Sequence, residues 1–306
     1  MRIVTRPDFD GIVCAMLILQ ATRTNAEIRW VEPHDIQADK IEILKGDILA
    51  NLPYAPNCDL WFDHHVSNMP EKEFPTKEIK GAFDIAPSAA GVVYTYYQQK
   101  GLLDNQYDEL IAQTDIIDGA FLNQDQVRFP QKYPYILLSM TIKNKEYEDI
   151  NYWNHLVQLL KHTPIEKIIE DEQVKLRSDN VIAENAAYEN HLLKHTRVVN
   201  DISITDFRNL DPVPDGNRFF TYCLFPESIA SVKIRYGSPD KKQVIVSIGR
   251  SIFNKQCKVN VGNLLARFGG GGHAGAGGCT LDANTADASI EQMLDALFKN
   301  QNKMFE

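Results

Sequence analysis

The sequence predicts an α/β protein: an N-terminal domain on a parallel sheet, joined by a helical connector to a smaller C-terminal α/β domain. Three observations carry this expectation. The chain has 306 residues, and a single hydrophobic core usually stops growing at roughly 100–200. In the first half, short apolar runs alternate with helical patterns, as in a parallel sheet with crossover helices. Beyond Arg197 the pattern changes to closely spaced strands.

Arg2 to Thr5 reads as a short buried strand. It runs into Arg6-Pro7-Asp8-Phe9-Asp10-Gly11 and an apolar helix from about Ile12 to Ala21, with Asp10 as the expected N-cap. Glu27 to Val31 reads as a second strand, and Asp59 to Asp63 as a third that stops at His64-His65. Ser88 to Gln99 and Asp108 to Ile116 have helical patterns. From about Pro164 to His195 the chain is polar and acidic, with no further Pro or Gly; it is either a helical connector or a solvated surface helix. Val198, Ile202 and Ile204, then Phe219 to Phe225, Ile229 to Tyr236 and Gln243 to Ile248, read as strands. A helix over Val261 to Ala266, a glycine-rich run from Phe268 to Gly278 and an amphipathic helix over Ala288 to Phe298 complete the pattern.

Composition bounds the function. Hydrophobic residues make up 44% and charged residues 24%, an ordinary globular balance. The net charge of −9 argues against a protein that coats long duplex nucleic acid, because such binding neutralises phosphates with many Lys and Arg. A short anionic substrate held by metal ions and a few cations stays compatible. The five cysteines (Cys14, Cys58, Cys223, Cys257 and Cys279) form no CxxC pair, so neither a disulfide framework nor a zinc knuckle is expected. No apolar stretch approaches the ~20 residues that span a bilayer, and no signal peptide is evident. No membrane partner and a cytoplasmic location are therefore expected.

The chemistry concentrates at strand ends, where parallel sheets gather their ligands. Asp8-Phe9-Asp10 places two carboxylates between a strand and a helix, and alternation in an extended segment would send them to opposite sides. Asp63-His64-His65 follows the apolar strand Leu60-Trp61-Phe62, and three metal-capable residues in a row are costly to bury unpaired. Carboxylate and imidazole ligands suit Mn²⁺, with Mg²⁺ or Co²⁺ as substitutes, and no thiolate calls for zinc. Two ions ~3.5–4 Å apart would suit in-line attack on phosphorus. Alone, Asp-x-Asp before a helix is an ordinary cap and a His pair an ordinary surface or core feature; together at strand ends they favour metal.

Seven glycines fall within residues 269–278, around His273. Glycine lets the backbone approach a ligand and aim several N–H groups at one anion, and His273 adds a donor. Arg250 lies just upstream and offers a fork suited to phosphate. The plainer alternative is a flexible turn with an incidental histidine.

These motifs together resemble the DHH phosphoesterase superfamily with its DHHA1 domain, in particular the oligoribonuclease, pAp phosphatase and exopolyphosphatase-related group. The resemblance spans essentially the whole chain. It implies a DHH catalytic domain over residues 1–190, including the connector from about 164, and a DHHA1 substrate-binding domain over 196–306. It implies one or two Mn²⁺ ions held by Asp8, Asp10, Asp47, Asp63, His64 and Asp118, with Asp115 a rival to Asp118. Asp63, His64 and His65 would be catalytic. Arg250, Gly271, Gly272 and His273 would bind substrate, in a cleft between the domains. A homodimer is common in the family. One departure stands out: many members carry a first-motif histidine at the position of Val4 or near Arg6, and neither residue is a ligand. The second ion would then be completed by water or be absent, leaving Arg6 to pair with a carboxylate or a phosphate.

Two function classes follow. The first is a metal-dependent phosphoesterase acting on a small phosphorylated substrate: a short oligonucleotide, a pAp-like nucleotide, a cyclic dinucleotide or a short polyphosphate. The second is a regulatory protein that binds such a ligand with little or no turnover. A full set of aspartates favours the first, because a mere binder would not need it.

Overall fold

The computed structural model describes residues 1–69, 79–143 and 149–301. They gather into two compact units. One comprises Met1–Leu122 and Pro130–Asn180; the other comprises Asn123–Phe129 and the chain from Val181 onward.

The first unit begins β1 (Arg2–Thr5), α1 (Phe9–Thr22), β2 (Glu27–Trp30), α2 (Pro33–Gln37), β3 (Asp47–Ala50), β4 (Leu60–Asp63), β5 (Gly81–Phe83), α3 (Ala89–Gln99) and α4 (Asp108–Asp118). After α5 (Gln124–Arg128), which belongs to the second unit, come α6 (Pro134–Met140), α7 (Ile150–His162), α8 (Ile165–Ile168) and α9 (Glu172–His195). The division between the units falls within α9.

The five strands are all parallel, in the order β2-β1-β3-β4-β5. Alternation along each strand serves both faces of the sheet. Ile3, Trp30, Ile48, Ala50 and Phe62 join α1, α3 and α7 in the larger core. Val4, Val31, Leu49 and Trp61 join Ile36 of α2 in a second. Helix α1 is buried from Phe9 through Leu19, because α3, α4 and α7 pack around it, and this explains its nearly continuous apolar sequence. All five strands end at the same edge.

The second unit adds β6 (Thr196–Val199), β7 (Ile202–Asp206), α10 (Phe220–Leu224), β8 (Ala230–Tyr236), β9 (Gln243–Arg250), α11 (Val261–Ala266), β10 (Gly271–Gly272), β11 (Ala276–Asp282) and α12 (Ala286–Lys299). Its mixed sheet has the order β10-β11-β9-β8-β7-β6, in which only β7 and β8 pair in parallel. Helices α11 and α12 bury Leu264, Leu265, Ile290 and Met293 with Val232, Val246 and Ile248 of the sheet.

Three expectations need correction. Asp8, not Asp10, caps α1: its backbone is extended and its side chain accepts from Gly11 N, while Asp10 sits in the first turn. Phe219 to Phe225 is not a strand but contains α10; packing of Phe220 and Tyr222 overrides the strand preference of an aromatic run. The glycine run is not one loop: it is divided between β10 and β11. Among the described residues, no helix is long and apolar enough to cross a membrane.

Candidate functional site

The register decides which residues stand together at the C-terminal edge of the parallel sheet. Thr5 is level with Trp30 and Ala50, and Ala50 with Phe62. One residue further on, Arg6, Val31, Asn51 and Asp63 therefore form a row, and Val31 N donating to Thr5 O and Asn51 N donating to Phe62 O continue the ladder. Beyond Arg6 the chain folds back into α1. A side chain at Gly11 would lie 2.0 Å from the Arg6 carbonyl oxygen, so only glycine fits there. This turn delivers Asp8 and Asp10 to the edge.

Asp8 is held by donors on every side. Its Oδ1 accepts from Gly11 N at 2.8 Å and from Asn51 Nδ2 at 3.1 Å. Its Oδ2 lies 3.2 Å from Arg6 Nε, which is also 3.7 Å from Glu32 Oε2 just past β2. The charge of Asp8, then those of Glu32, Asp118 and Asp10, raise the Arg6 pKa against the opposing effect of burial, so the guanidinium is fully charged.

Asp10 is buried. Its oxygens accept from Ala89 N at 2.9 Å and Ala90 N at 2.8 Å, in the first turn of α3, where a helix N-terminus favours an anion. Cys14 Sγ is 3.9 Å away. Burial first, then the charges of Asp118 and Asp8, push its pKa well above the usual carboxylate range. Asp10 thus has its charge balanced by backbone amides and not by a side-chain cation at contact distance.

His64 Nδ1 is 2.9 Å from the Ala86 carbonyl oxygen. A carbonyl only accepts, so Nδ1 carries the proton and Nε2 keeps its lone pair. Nε2 is buried without a hydrogen-bond partner, 3.3 Å from Asp118 Oδ2 and 3.9 Å from Asp10 Oδ2. Burial, then His65, lower the His64 pKa and keep the ring neutral. Fixing one ring nitrogen on a carbonyl while the other faces carboxylates is how proteins orient a metal-ligating histidine. Asp10, His64 and Asp118 converge closely enough to hold one ion, and Asp63, His64 and His65 form a second such group. The donor set, nitrogen and oxygen without thiolate, fits Mn²⁺ or Mg²⁺.

Asp63 is fully buried and fully engaged. Oδ1 accepts from His64 N at 2.7 Å, His65 N at 3.1 Å and His65 Nδ1 at 3.0 Å; Oδ2 accepts from Asn68 Nδ2 at 2.6 Å. It braces the turn and aims His65. Burial alone would lower the His65 pKa, but the bond to Asp63 and the charges of Asp63 and Asp118 raise it overall.

Asp47 does not join these residues, which corrects the expectation that it helps to hold the ions. It is level with Arg2 at the opposite, N-terminal edge of the sheet. Four residues of strand, roughly 13 Å, separate it from Asn51. There it accepts from Arg2 Nη2 at 2.6 Å, Arg2 Nε at 3.0 Å and Leu44 N at 2.8 Å. Burial is more than offset by Arg2 and Leu44, so its pKa is lowered. Asp115 accepts from Ser88 Oγ at 2.6 Å, whereas Asp118 reaches His64. Sequence reasoning missed Glu32 and Asn51. Glu32 follows the strand-like stretch Ile28-Arg29-Trp30-Val31 and Asn51 the apolar run Ile48-Leu49-Ala50, and that position was the available signal.

In the second unit, Gly271 and Gly272 pair with Gly278 and Gly277, and His273 N donates to Ala276 O to close a tight hairpin. Its tip is tied down: Gly262 N donates to His273 O, Val261 N to Ala274 O and Arg250 N to Gly275 O. Arg250 Nε and Nη2 both donate to the Val259 carbonyl, so that edge of the fork is spent inside the protein. A Cβ at Gly272 would lie 2.3 Å from Ala276 O at a φ of +145°, while one at Gly271 would meet nothing within 4 Å. Gly272→Ala is expected to lower stability by about 1–3 kcal/mol, and Gly271→Ala to change it by less than about 0.5 kcal/mol. A raised KM in Gly271→Ala with an unchanged Tm would report backbone approach to a ligand; an unchanged KM would leave the hairpin purely structural.

No protein-family model matches the chain, and no curated protein does. Solved structures do. The pGpG-specific phosphodiesterase PggH from Vibrio cholerae has a TM-score of 0.83 and 29% identity, covering 98% of this chain and 99% of that one. RecJ from Thermus thermophilus in complex with Mn²⁺ has a TM-score of 0.61 and 14% identity, covering 97% of this chain and 52% of RecJ. An exopolyphosphatase-related protein from Bacteroides fragilis has a TM-score of 0.56 and 14% identity, covering 97% and 93%. The last two show the fold alone. A five-stranded parallel sheet, a second mixed sheet and an Asp-His-Asp group at the parallel sheet's edge accompany these likenesses, and the structural neighbours of the chain are members of the DHH family.

Proposed function

We propose that the chain hydrolyses a short 5′-phosphorylated nucleotide, foremost a linear dinucleotide of the pGpG kind, with Mn²⁺ as its cation. The observation that carries this reading is the likeness to a pGpG-specific phosphodiesterase over 98% of the chain. A bound divalent cation supplies charge neutralisation and Lewis-acid polarisation at the phosphorus centre. His64 Nε2, Asp10 and Asp118 hold it. Asp63 fixes His65 through Nδ1, so the proton that His65 moves is the one at Nε2. Asp8 caps α1 and anchors Arg6. Glycines 271 and 272 with His273 grip a phosphate that does not react, with Arg250 bracing their hairpin.

The test is a turnover screen with Mn²⁺ over pGpG, pApA, pAp, cyclic di-GMP and short-chain polyphosphate. The expected result is hydrolysis of pGpG to mononucleotide, with a kcat/KM well above that for the cyclic compound. Turnover of pAp or polyphosphate alone would replace the dinucleotide reading, and binding of pGpG without turnover would make the chain a sensor.

A further inference from the structure

We infer that this chain binds a single divalent cation, at Asp10, His64 and Asp118, and that the Arg6 guanidinium holds the place of a second. The inference rests on the metal-centre reading above and adds how the site is charged. The acceptors at the sheet edge divide into two halves. In one, His64 Nε2 is buried and lacks a hydrogen-bond partner beside two carboxylates, and Asp10 is bonded only to backbone amides and a distant thiol. Among the described residues, no arginine or lysine lies at salt-bridge distance from Asp10, whose ion-pair neighbour is the His64 ring. In the other, the row position next to Asp8 is occupied by Asn51, a buried amide that donates Nδ2 to Asp8 Oδ1. Asp8 Oδ2 and Glu32 Oε2 share the Arg6 guanidinium. An ion on Asp8 would have to displace an N–H donor from each oxygen and settle beside a fixed positive charge that repels it. Val4, the other first-motif position, is buried in the apolar cluster with Trp61, so the choice falls on Arg6. The site thus keeps two cationic groups facing its carboxylates, the guanidinium and one ion, while taking only one of them from solution.

The test is metal stoichiometry, read by elemental analysis after equilibrium dialysis with Mn²⁺ and by electron paramagnetic resonance, which distinguishes an isolated Mn²⁺ from a coupled pair. The parent should bind one ion and show an isolated-ion spectrum. Arg6→His combined with Asn51→Asp removes the guanidinium and the amide donor and adds two ligands, so it should bind two ions as a coupled pair. The milder Arg6→Gln should admit a second ion at millimolar Mn²⁺, because Asp8 and Glu32 lose their counter-charge. Thermal unfolding checks that both variants are folded. Two ions in the parent would overturn the inference and keep the metal centre. One ion in the parent and still one in both folded variants would also overturn it, since Arg6 would then not be what excludes the second. No ion in the parent would overturn the metal-centre reading itself, and the inference with it.

Discussion

His64→Ala is expected to remove Mn²⁺-dependent hydrolysis almost entirely, by on the order of 10³-fold in kcat, and to do so without unfolding the protein. Nε2 makes no hydrogen bond that the fold depends on, and Nδ1 gives one to Ala86 O, so the lost structural contacts are few. What goes is the neutral nitrogen that meets Asp10 and Asp118. The measurement pairs activity with the Tm shift on adding Mn²⁺. An ion at 100 times its Kd stabilises a protein by about 2.7 kcal/mol, and in His64→Ala that gain should largely vanish. Because the Asp10 carboxyl sits well above the usual range, a proton competes with the ion there. Mn²⁺ affinity of the parent should therefore start to weaken, as pH falls, at a higher pH than at a site of ordinary carboxylates. Retained Mn²⁺ stabilisation with retained turnover in His64→Ala would remove His64 from the centre.

Asp63→Ala should be the most destabilising single change at the site. It strips an acceptor from two backbone amides, an imidazole N–H and an Asn amide, all in a buried turn. Each donor left without a partner costs about 1–3 kcal/mol, so a total of several kcal/mol is expected, read as a large fall in Tm. Asp63→Asn keeps the shape and one acceptor oxygen and should fold. It allows the chemistry to be separated from the bracing. With the carboxylate charge gone, burial dominates at His65 and its pKa falls. The kcat profile limb that reports His65 should then move to lower pH. A purely structural Asp63 would lower stability and leave the inflection where it was.

The strands at the ends of their apolar runs were legible without coordinates. Arg2 to Thr5 and Val261 to Ala266 coincide with β1 and α11. The helices α3 and α4 begin at or within a residue of where their patterns do. β3 and β5 were not read as strands. Their existence depends on neighbours that supply the hydrogen bonds. The segment around Phe220 went the other way: its residues favour a strand, and burial of Phe220 and Tyr222 in a short helix prevails.

The site shows the same boundary. Chain order alone placed Asp8, Asp10, Asp63, His64 and His65 at strand ends, because each lies within a few residues of the end of a short strand-like run. The resemblance added Asp118, just beyond the helix expected over Asp108 to Ile116, with Asp115 as a rival. Only the tertiary structure separates them, by turning Asp115 onto Ser88 and bringing Asp118 to His64. Asp47 was mistaken for a ligand and Asn51 overlooked for one reason. Which end of a short strand faces the ligands is fixed by its register against its neighbours, and the pairing of Arg2 with Asp47 sets Asp47 at the wrong edge and Asn51 at the right one. Register arises from hydrogen bonds between segments distant in sequence, so no pattern within residues 47–51 could have decided it.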